Sequence, residues 1–280
     1  MTETTKKLIR LALEEDIGRG DVTTDATIPE DHRAEARVAA KEDGVFFGGG
    51  VLEFIFRELD PDVEIEFIAE DGMPVQAGAV VARLRGRTRA VLTGERTALN
   101  FLQRLSGVAT LTSRYVKELE GTDTRLLDTR KTTPGMRELE KAAVASAGGV
   151  NHRMGLYDMA LIKDNHITAA GGVSEAVAAV RENAPDVPIE VEVTNLRELD
   201  EALVAKVDRV MLDNMTDAML PEAVRTAKSA EDPPEVEVSG NVTLATIRDI
   251  AELGPDFISV GALTHSARAL DISLEIGEEK

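Results

Sequence analysis

Short apolar runs alternate with amphipathic stretches over the second half of the chain. Six runs have the length and content of buried parallel strands: 126–131 (LLDTRK), 159–164 (MALIKD), 189–194 (IEVEVT), 209–214 (RVMLDN), 235–240 (EVEVSG) and 257–263 (FISVGAL). Helical spacing is found between them, over 136–147, 174–183, 196–205, 217–228 and 244–253. Repeated strand and helix predict a parallel sheet, and six strands predict an open α/β barrel that is TIM-like but incomplete.

The first hundred residues follow a different pattern. After an amphipathic opening helix, extended stretches are predicted over 34–41, 63–70 and 79–85, with a helix near 51–59. A long helix is predicted from Arg89 to Leu105. We therefore expect an N-terminal α/β sandwich over 1–105 and a barrel that carries the active site over 106–265. Residues 268–276 have the spacing of a short amphipathic helix, and the segment 266–280 is expected to return to the first domain.

Composition excludes several classes of protein. The chain has no cysteine, which excludes disulfides, thiolate metal sites and cysteine catalysis. Its net charge of −19 argues against nucleic acid or an anionic membrane as a partner. An acidic surface of this kind also suggests a protein that stays hydrated in a high-salt cytoplasm. The charged N-terminal helix is unlike a signal peptide, and no run is long enough to span a bilayer, so a cytoplasmic location is expected.

The predicted strands end in residues that carry chemistry. Because side chains at the C-terminal edge of a barrel converge, seven residues are expected to face one ligand. They are Arg130, Lys131, Lys163, Glu192, Asp213, Ser239 and Gly261. The stretch 125–166 has seven basic and five acidic residues, and so is locally positive in an acidic chain. This chemistry suits an anionic, phosphate-bearing substrate and a divalent metal.

Several of these residues allow two interpretations. Lys163 could form a Schiff base or bind phosphate as a point charge. Glu192 and Asp213 could hold Mg²⁺ or pair with the neighbouring lysines. His166 could belong to the site or cap a loop. Ser239, Gly240 and Gly261, with His265 as a further donor, could bind a phosphate through backbone N–H groups or serve packing alone.

Long ordered motifs over nearly the whole chain resemble one family. The motifs are GERTALNFLQRLSGVAT, DTRKTTPGMRELEKAAVASAGGVNHRMGLYDMALIKDNHI, EVEV, MLDNM, EVSGNV and ISVGALTHS. They resemble quinolinate phosphoribosyltransferase, the carboxylating nicotinate-nucleotide pyrophosphorylase of NAD synthesis. The resemblance implies that the ring nitrogen of quinolinate attacks ribose C1 of phosphoribosyl pyrophosphate. Pyrophosphate then leaves, and loss of the carboxylate beside the nitrogen gives CO₂ and nicotinate mononucleotide.

The resemblance also implies roles for individual residues, including a dimer in which Arg96 crosses the interface to the partner's site. The residues expected around quinolinate are Arg96, Arg130, Lys131, His152, Arg153 and Lys163. Those expected around phosphoribosyl pyrophosphate are Lys131, Lys163, Glu192, Asp213, Ser239, Gly240, Gly261 and His265. Catalysis is assigned to Lys131, Lys163, Glu192 and Asp213, with Mg²⁺ at the two acids. Three alternatives remain: a molybdenum-locus homologue of the same fold, a Schiff-base aldolase using Lys163, and a non-catalytic anion-binding protein.

Overall fold

The computed structural model describes residues 1–277. Its helices, in chain order, are α1 (Glu3–Ile17), α2 (Val22–Thr27), α3 (Gly49–Leu59), α4 (Thr88–Glu118), α5 (Arg137–Ser146), α6 (Asp164–Ala170), α7 (Val173–Asn183), α8 (Leu196–Val204), α9 (Leu220–Lys228), α10 (Ile247–Ala251) and α11 (Ala262–His265). Its strands are β1 (Arg33–Ala40), β2 (Gly44–Val45), β3 (Glu64–Phe67), β4 (Pro74–Val75), β5 (Val80–Arg87), β6 (Arg125–Leu127), β7 (Ala160–Ile162), β8 (Ile189–Val193), β9 (Arg209–Asp213), β10 (Glu235–Ser239), β11 (Phe257–Ser259) and β12 (Ile272–Gly277). Within residues 1–277, none of the helices is both long enough and apolar enough to cross a membrane.

An N-terminal unit comprises, among the described residues, 1–113, 132–148 and 263–277. Its main sheet has the strand order β12-β1-β5-β3 and is antiparallel throughout. Alternate residues of β1 are buried, among them Ala36 and Val38, because successive side chains of a strand point to opposite faces. Helix α3 buries Leu52, Ile55 and Phe56 in the same unit. This sheet and its helices confirm the predicted α/β sandwich.

The C-terminal segment differs from its prediction. Residues 272–277 form strand β12, which pairs with β1 from Glu35 to Ala40, so the predicted helix over 268–276 is wrong. Ile272 and Leu274 are buried while Ser273 is less so, which is the period of a strand. Pairing with β1 satisfies the backbone N–H and C=O groups of this segment. The apolar residues of so short a run fit both helical and strand spacing, and the pairing decides that the segment is a strand.

A barrel unit comprises residues 114–131 and 149–262. Its six strands are parallel and have the order β6-β11-β10-β9-β8-β7. This order would close into a ring if β6 paired with β7, and no such pairing occurs within residues 1–277. The predicted open α/β barrel is therefore confirmed.

Several element boundaries differ from the sequence prediction. Strand β6 ends at Leu127 and β11 at Ser259, so both end earlier than predicted. Helix α6 begins immediately after Lys163, where the sequence analysis placed no helix. The expected domain boundary at 105/106 falls inside α4, and residues 132–148 group with the N-terminal unit.

Candidate active site

A cleft of about 520 Å³ opens at the C-terminal edge of the barrel strands. All of its lining residues belong to the barrel unit. They are Thr129, Arg130, Lys131, His152, Arg153, Leu161, Lys163, Glu192, Met211, Asp213, Asn214, Glu237, Ser239, Gly240, Asn241 and Ser259. Four permanent cations and three carboxylates thus share one pocket. Its volume is in the range of small-molecule sites.

Parallel register brings the strand-end residues of the cleft together. Asp213 lies opposite Ser239 in the β9–β10 pairing, and Glu192 lies opposite Met211 in the β8–β9 pairing. Lys163 follows β7 directly and is the N-cap residue of α6. Side chains at alternate positions of a barrel strand face the same side. Neighbouring strands therefore deliver these groups to one edge, as the sequence predicts.

The cationic side of the cleft is formed by loops. Arg130 and Lys131 lie in the loop after β6, where the backbone N–H of Lys131 donates to Thr129 Oγ1 at 3.1 Å. Arg153 donates through Nη1 to the carbonyl of Met159 at 2.9 Å. The Nε atoms of Arg130 and Arg153 are buried without a hydrogen-bond acceptor among the described residues. Burial and the positive charge of Arg130 lower the pKa of Arg153, so an anion bound between the two arginines would relieve unfavourable electrostatics.

The acidic side of the cleft is partly paired. The ammonium of Lys163 contacts Glu192 Oε2, and this carboxylate is largely buried. Asp213 accepts a hydrogen bond from Asn214 Nδ2 at 2.7 Å. Carboxylate oxygens that also meet substrate phosphates are the donor set that Mg²⁺ prefers, so Glu192 and Asp213 fit a divalent cation.

His152 lies at the base of the cleft in a fully buried acidic cluster. Its Nε2 is 3.0 Å from Glu190 and 3.4 Å from Glu237, and both glutamates are 0% exposed. Its Nδ1 accepts the backbone N–H of Arg153 at 2.7 Å. Its own backbone N–H donates to the buried carboxylate of Asp128 at 2.9 Å. Nδ1 of His152 is therefore hydrogen-bonded, and Nε2 lies within ion-pair distance of both glutamates.

Burial and mutual charge shift the pKa values of all three side chains in this cluster. Burial and the charge of Glu237 raise the pKa of Glu190 to about 7. Burial would also raise the pKa of Glu237, but the hydrogen bond and charge of His152 outweigh it and lower that pKa. Burial would lower the pKa of His152, whereas the two carboxylates raise it overall. The carboxylates thus favour a second proton on the ring, but the backbone N–H of Arg153 points at Nδ1 and leaves that nitrogen only as an acceptor. The geometry therefore places the ring proton on Nε2, toward the carboxylates.

Three predicted site residues are not among those that line the cleft in the described chain. Gly261 follows β11 at the start of the turn into α11, and Ser259 lines the cleft instead. His265 belongs to the N-terminal unit, where its Nδ1 lies 2.6 Å from Ser266 Oγ. Arg96 lies on α4 with its side chain 62% exposed and pairs loosely with Glu95.

His166 serves as a helix cap. Its Nδ1 accepts the backbone N–H of Lys163 at 3.0 Å, which satisfies a donor at the start of α6. Of the two interpretations that the sequence leaves open for His166, the structure supports capping. The ring thereby fixes the backbone from which the Lys163 ammonium reaches the cleft.

Sequence reasoning missed Glu190 and Glu237. Each stands two residues before a predicted site residue, Glu190 before Glu192 in IEVEV and Glu237 before Ser239 in EVEVS. The signal was present, because a glutamate at alternate positions of a buried strand must face either the barrel interior or the outer helices. Asn214 and Asn241, which have left-handed backbone conformations at the cleft, were missed as well.

The fold and cleft together define a class of protein. A parallel α/β barrel with cations and carboxylates at its C-terminal strand edge is typical of enzymes that bind anionic, phosphate-bearing substrates there. Comparison with known proteins identifies the family within this class.

Most of the chain matches one family. Residues 21–106 match the family model for the N-terminal domain of quinolinate phosphoribosyl transferase, and residues 108–275 match that for its C-terminal domain. The chain belongs to this family. It is 46% identical over 94% of its length to a probable nicotinate-nucleotide pyrophosphorylase [carboxylating] of Synechocystis sp., of which the match covers 90%. It is 44% identical over 98% of its length to quinolinate phosphoribosyltransferase [decarboxylating] 1b of Nicotiana tabacum, of which 83% is covered.

Solved structures agree with the sequence matches. The nicotinate-nucleotide pyrophosphorylase from Francisella tularensis superposes with a TM-score of 0.93 at 42% identity, covering 98% of this chain and 96% of that one. Agreement of this extent includes both the sandwich and the barrel, which bears out the family resemblance and the fold class.

Proposed function

We propose that the barrel cleft carries the reaction of the family and that its residues divide between the two substrates. The chain is a decarboxylating quinolinate phosphoribosyltransferase, a pentosyltransferase of NAD biosynthesis that forms nicotinate mononucleotide. One observation carries the assignment to the cleft: four cations lie beside carboxylates at the strand edge of a chain whose net charge is −19. The division of residues described below is the proposal.

Arg130, Lys131 and Arg153 are assigned to the two carboxylates of quinolinate. A guanidinium can grip a carboxylate with two parallel hydrogen bonds, and both arginines have buried Nε atoms without an acceptor. The two substrates are multiply charged anions that must come into contact. At an effective dielectric near 20, one pair of unit charges 4 Å apart contributes about 4 kcal/mol, so uncompensated anions would repel strongly. Positioning by these cations is then a large part of catalysis.

Lys163, Glu192 and Asp213 are assigned to the phosphoribosyl side. As the ring nitrogen bonds to ribose C1, the bond from C1 to the pyrophosphate oxygen breaks and its electrons leave with pyrophosphate. The carboxylates favour the positive charge that develops on the ribose, and Lys163 favours the charge on the departing oxygens. Ser239 and Gly240 are assigned to the ribose phosphate, with Gly261 and His265 as further candidates.

Glu192 and Asp213 would hold Mg²⁺, directly or through water. When bound, this ion neutralises the pyrophosphate of the substrate and lowers the cost of its departure. The protein's own contribution is to keep both carboxylates oriented, through Lys163 on Glu192 and Asn214 on Asp213.

A Schiff-base aldolase is less compatible with the geometry. The Nζ atom of Lys163 is in contact with the Glu192 carboxylate, whereas Schiff-base formation needs a lysine nitrogen that is open to attack a carbonyl carbon. Treatment with borohydride and a carbonyl substrate should leave the mass of the protein unchanged. A molybdenum-locus homologue differs in substrate, and turnover of quinolinate separates it from the proposed enzyme.

The activity test supplies each component separately. Purified protein in molar KCl is incubated with Mg²⁺, quinolinate and phosphoribosyl pyrophosphate, and nicotinate mononucleotide and CO₂ are measured. Product that requires both substrates and is abolished by a chelator is the expected result. A folded protein that turns over nicotinate but not quinolinate would contradict the assignment. Quinolinate binding without pyrophosphate release would instead indicate a non-catalytic anion-binding protein.

We also propose a homodimer in which Arg96 reaches the partner's cleft. In support, Arg96 is highly exposed and its loose pair with Glu95, at 3.9 Å, leaves it available to another ligand. Arg96→Ala and Lys163→Met would each inactivate the dimer, but a mixed dimer would retain one site with both residues intact. Refolding an equal mixture should restore about a quarter of wild-type activity. No recovery in a mixture shown to form mixed dimers would refute the shared site.

We further propose that the enzyme works in a high-salt cytoplasm. The support is compositional: 51 acidic residues against 32 basic ones, with ion pairs such as Arg37–Glu275 and Arg83–Glu66 on the exposed face of the N-terminal sheet. Salt screens repulsion between the unpaired acids.

A further inference from the structure

The barrel buries two carboxylates beneath a cleft that must attract anions. Glu190 and Glu237 are each 0% exposed, and neither is used in the reaction described above. A buried charge is costly unless it is paired, and a negative charge under the cleft would weaken anion binding. Their presence therefore calls for a function that an apolar pair could not supply.

The contacts of these glutamates converge on one side chain. His152 Nε2 lies between them, while its Nδ1 accepts the backbone N–H of Arg153. The hydrogen bond at one ring nitrogen fixes which nitrogen carries the proton and how the ring is oriented. With Asp128 holding the backbone N–H of His152, the residue is restrained at its main chain and at both ring nitrogens.

A cation inside the barrel compensates the negative charge of Glu190 and Glu237. Arg209 lies opposite both Glu190 and Glu235 in the strand pairing, and its Nη1 is 3.6 Å from Glu237. The Arg209 guanidinium also stacks 4.3 Å from the centre of the Phe257 ring, which fixes its position. The cluster thus has its own counterion and does not need a cation from solution.

We propose that Glu190 and Glu237 are positioning residues that clamp the His152 ring, and that this ring in turn holds the Arg153 backbone so that its guanidinium faces the substrate. His152 then contacts no substrate through a ring N–H, in contrast to the role that the family resemblance implies for it. The inference rests on the proposed function for the assignment of Arg153 to quinolinate. The clamp itself rests on geometry alone.

Nitrogen-15 NMR of the intact enzyme labelled at histidine tests the clamp without any substrate. The chain has four histidines, so the His152 signal can be assigned by its loss in His152→Gln. We expect a proton on Nε2 that exchanges slowly with solvent and is strongly deshielded by a carboxylate acceptor. Rapid exchange, or an Nε2 without a proton, would overturn the clamp. This readout stands even if the enzyme fails to turn over quinolinate, which would contradict the proposed function instead.

Kinetics of glutamine variants test the consequence for Arg153. Glu190→Gln and Glu237→Gln each leave one carboxylate for the ring, whereas the double variant leaves none. Loss of a group that orients a ligand commonly costs 10-fold to 100-fold, so we expect KM for quinolinate to rise about 10-fold or more in the double variant. KM for phosphoribosyl pyrophosphate should change less than about twofold, because its assigned contacts are untouched. Equal changes in both constants would overturn the proposal.

Glu140→Gln is the matched control for burying an amide in place of a carboxylate. Glu140 is also 0% exposed and pairs with Arg104 at 2.8 Å, but it lies in the N-terminal unit. The Glu140→Gln substitution should lower thermal stability without a selective change in KM for quinolinate. A selective change in this control would count against the clamp, because any loss of a buried carboxylate would then have the same effect.

A metal ion is the competing explanation of the cluster. Ligand atoms of His152, Glu190 and Glu237 lie within 4.8 Å of one another, which would allow them to share an ion. Addition of Zn²⁺ or of a chelator to the labelled enzyme distinguishes a metal site from the proposed clamp. An unchanged Nε2–H signal supports the clamp, and replacement of that proton by Zn²⁺ would overturn it.

Discussion

Arg153→Ala should lower kcat/KM for quinolinate by about 100-fold. Arg153 is partly buried, and its guanidinium is held by the Met159 carbonyl at one nitrogen. Each hydrogen bond between charged groups contributes about 1.5–3 kcal/mol, so a two-point grip on a carboxylate is worth at least about 3 kcal/mol. At 1.4 kcal/mol per tenfold, 3 kcal/mol corresponds to roughly 100-fold. Removing the repulsion between Arg153 and Arg130 in the empty cleft offsets part of any larger loss.

The assay is steady-state release of nicotinate mononucleotide, with each substrate varied at saturating levels of the other. Arg153→Lys keeps the charge but not the planar fork, and should recover about half of the lost free energy, which leaves a deficit near tenfold. Arg225→Ala, an exposed arginine on α9 of the same unit, should have no effect. The reasoning is refuted if Arg153→Ala loses less than about threefold, or if kcat/KM for phosphoribosyl pyrophosphate falls by the same factor.

Four further outcomes follow from the structure. Lys163→Met should reduce kcat by more than about 100-fold while circular dichroism stays unchanged, because it removes a charge that favours the leaving pyrophosphate. Gly240→Ala should weaken phosphoribosyl pyrophosphate binding, measured by calorimetry, since Gly240 has φ +99° and a new methyl group would meet the Asn214 backbone at 2.9 Å. Burial opposes ionisation of Asp60, but hydrogen bonds from Arg87 lower its pKa. Asp60→Asn should therefore cost about 1–3 kcal/mol of unfolding free energy near pH 7, and the part of this cost that comes from ionisation should be lost as the pH falls below the ordinary aspartate value and through the lowered pKa of Asp60. The thermal midpoint should rise between 0.1 M and about 2 M KCl, and a midpoint indifferent to salt would contradict a high-salt adaptation.

The sequence predicted the part of the site that depends on strand register. Lys163, Glu192, Asp213 and Ser239 lie at the ends of consecutive parallel strands, so counting to the end of each apolar run was enough to bring them together. The same counting failed where the strands end early. Strand β11 ends at Ser259, so that residue lines the cleft in place of the glycine two positions later.

The rest of the site depends on contacts that no local pattern encodes. The loop after β6 carries Arg130 to the cleft although the strand ends at Leu127. The imidazole of His152 is oriented by glutamates from β8 and β10, which are distant in sequence. Pairing of β12 with β1 likewise depends on a vacant sheet edge about 235 residues away, so the amphipathic pattern alone favoured a helix.

The buried glutamates also explain how an acidic protein maintains a cationic cleft. Acidic residues outnumber basic ones over the chain as a whole, so any site for dianions requires cations that are fixed locally, not supplied by net charge. Arginines crowded together would repel each other and turn toward solvent unless their backbone were restrained. A clamp of His152 between Glu190 and Glu237 supplies that restraint at the base of the cleft, where Arg209 compensates the negative charge and both carboxylates are buried from solvent. Replacing the buried glutamates should therefore weaken anion binding even though it removes negative charge, which is opposite to the result expected from long-range electrostatics alone.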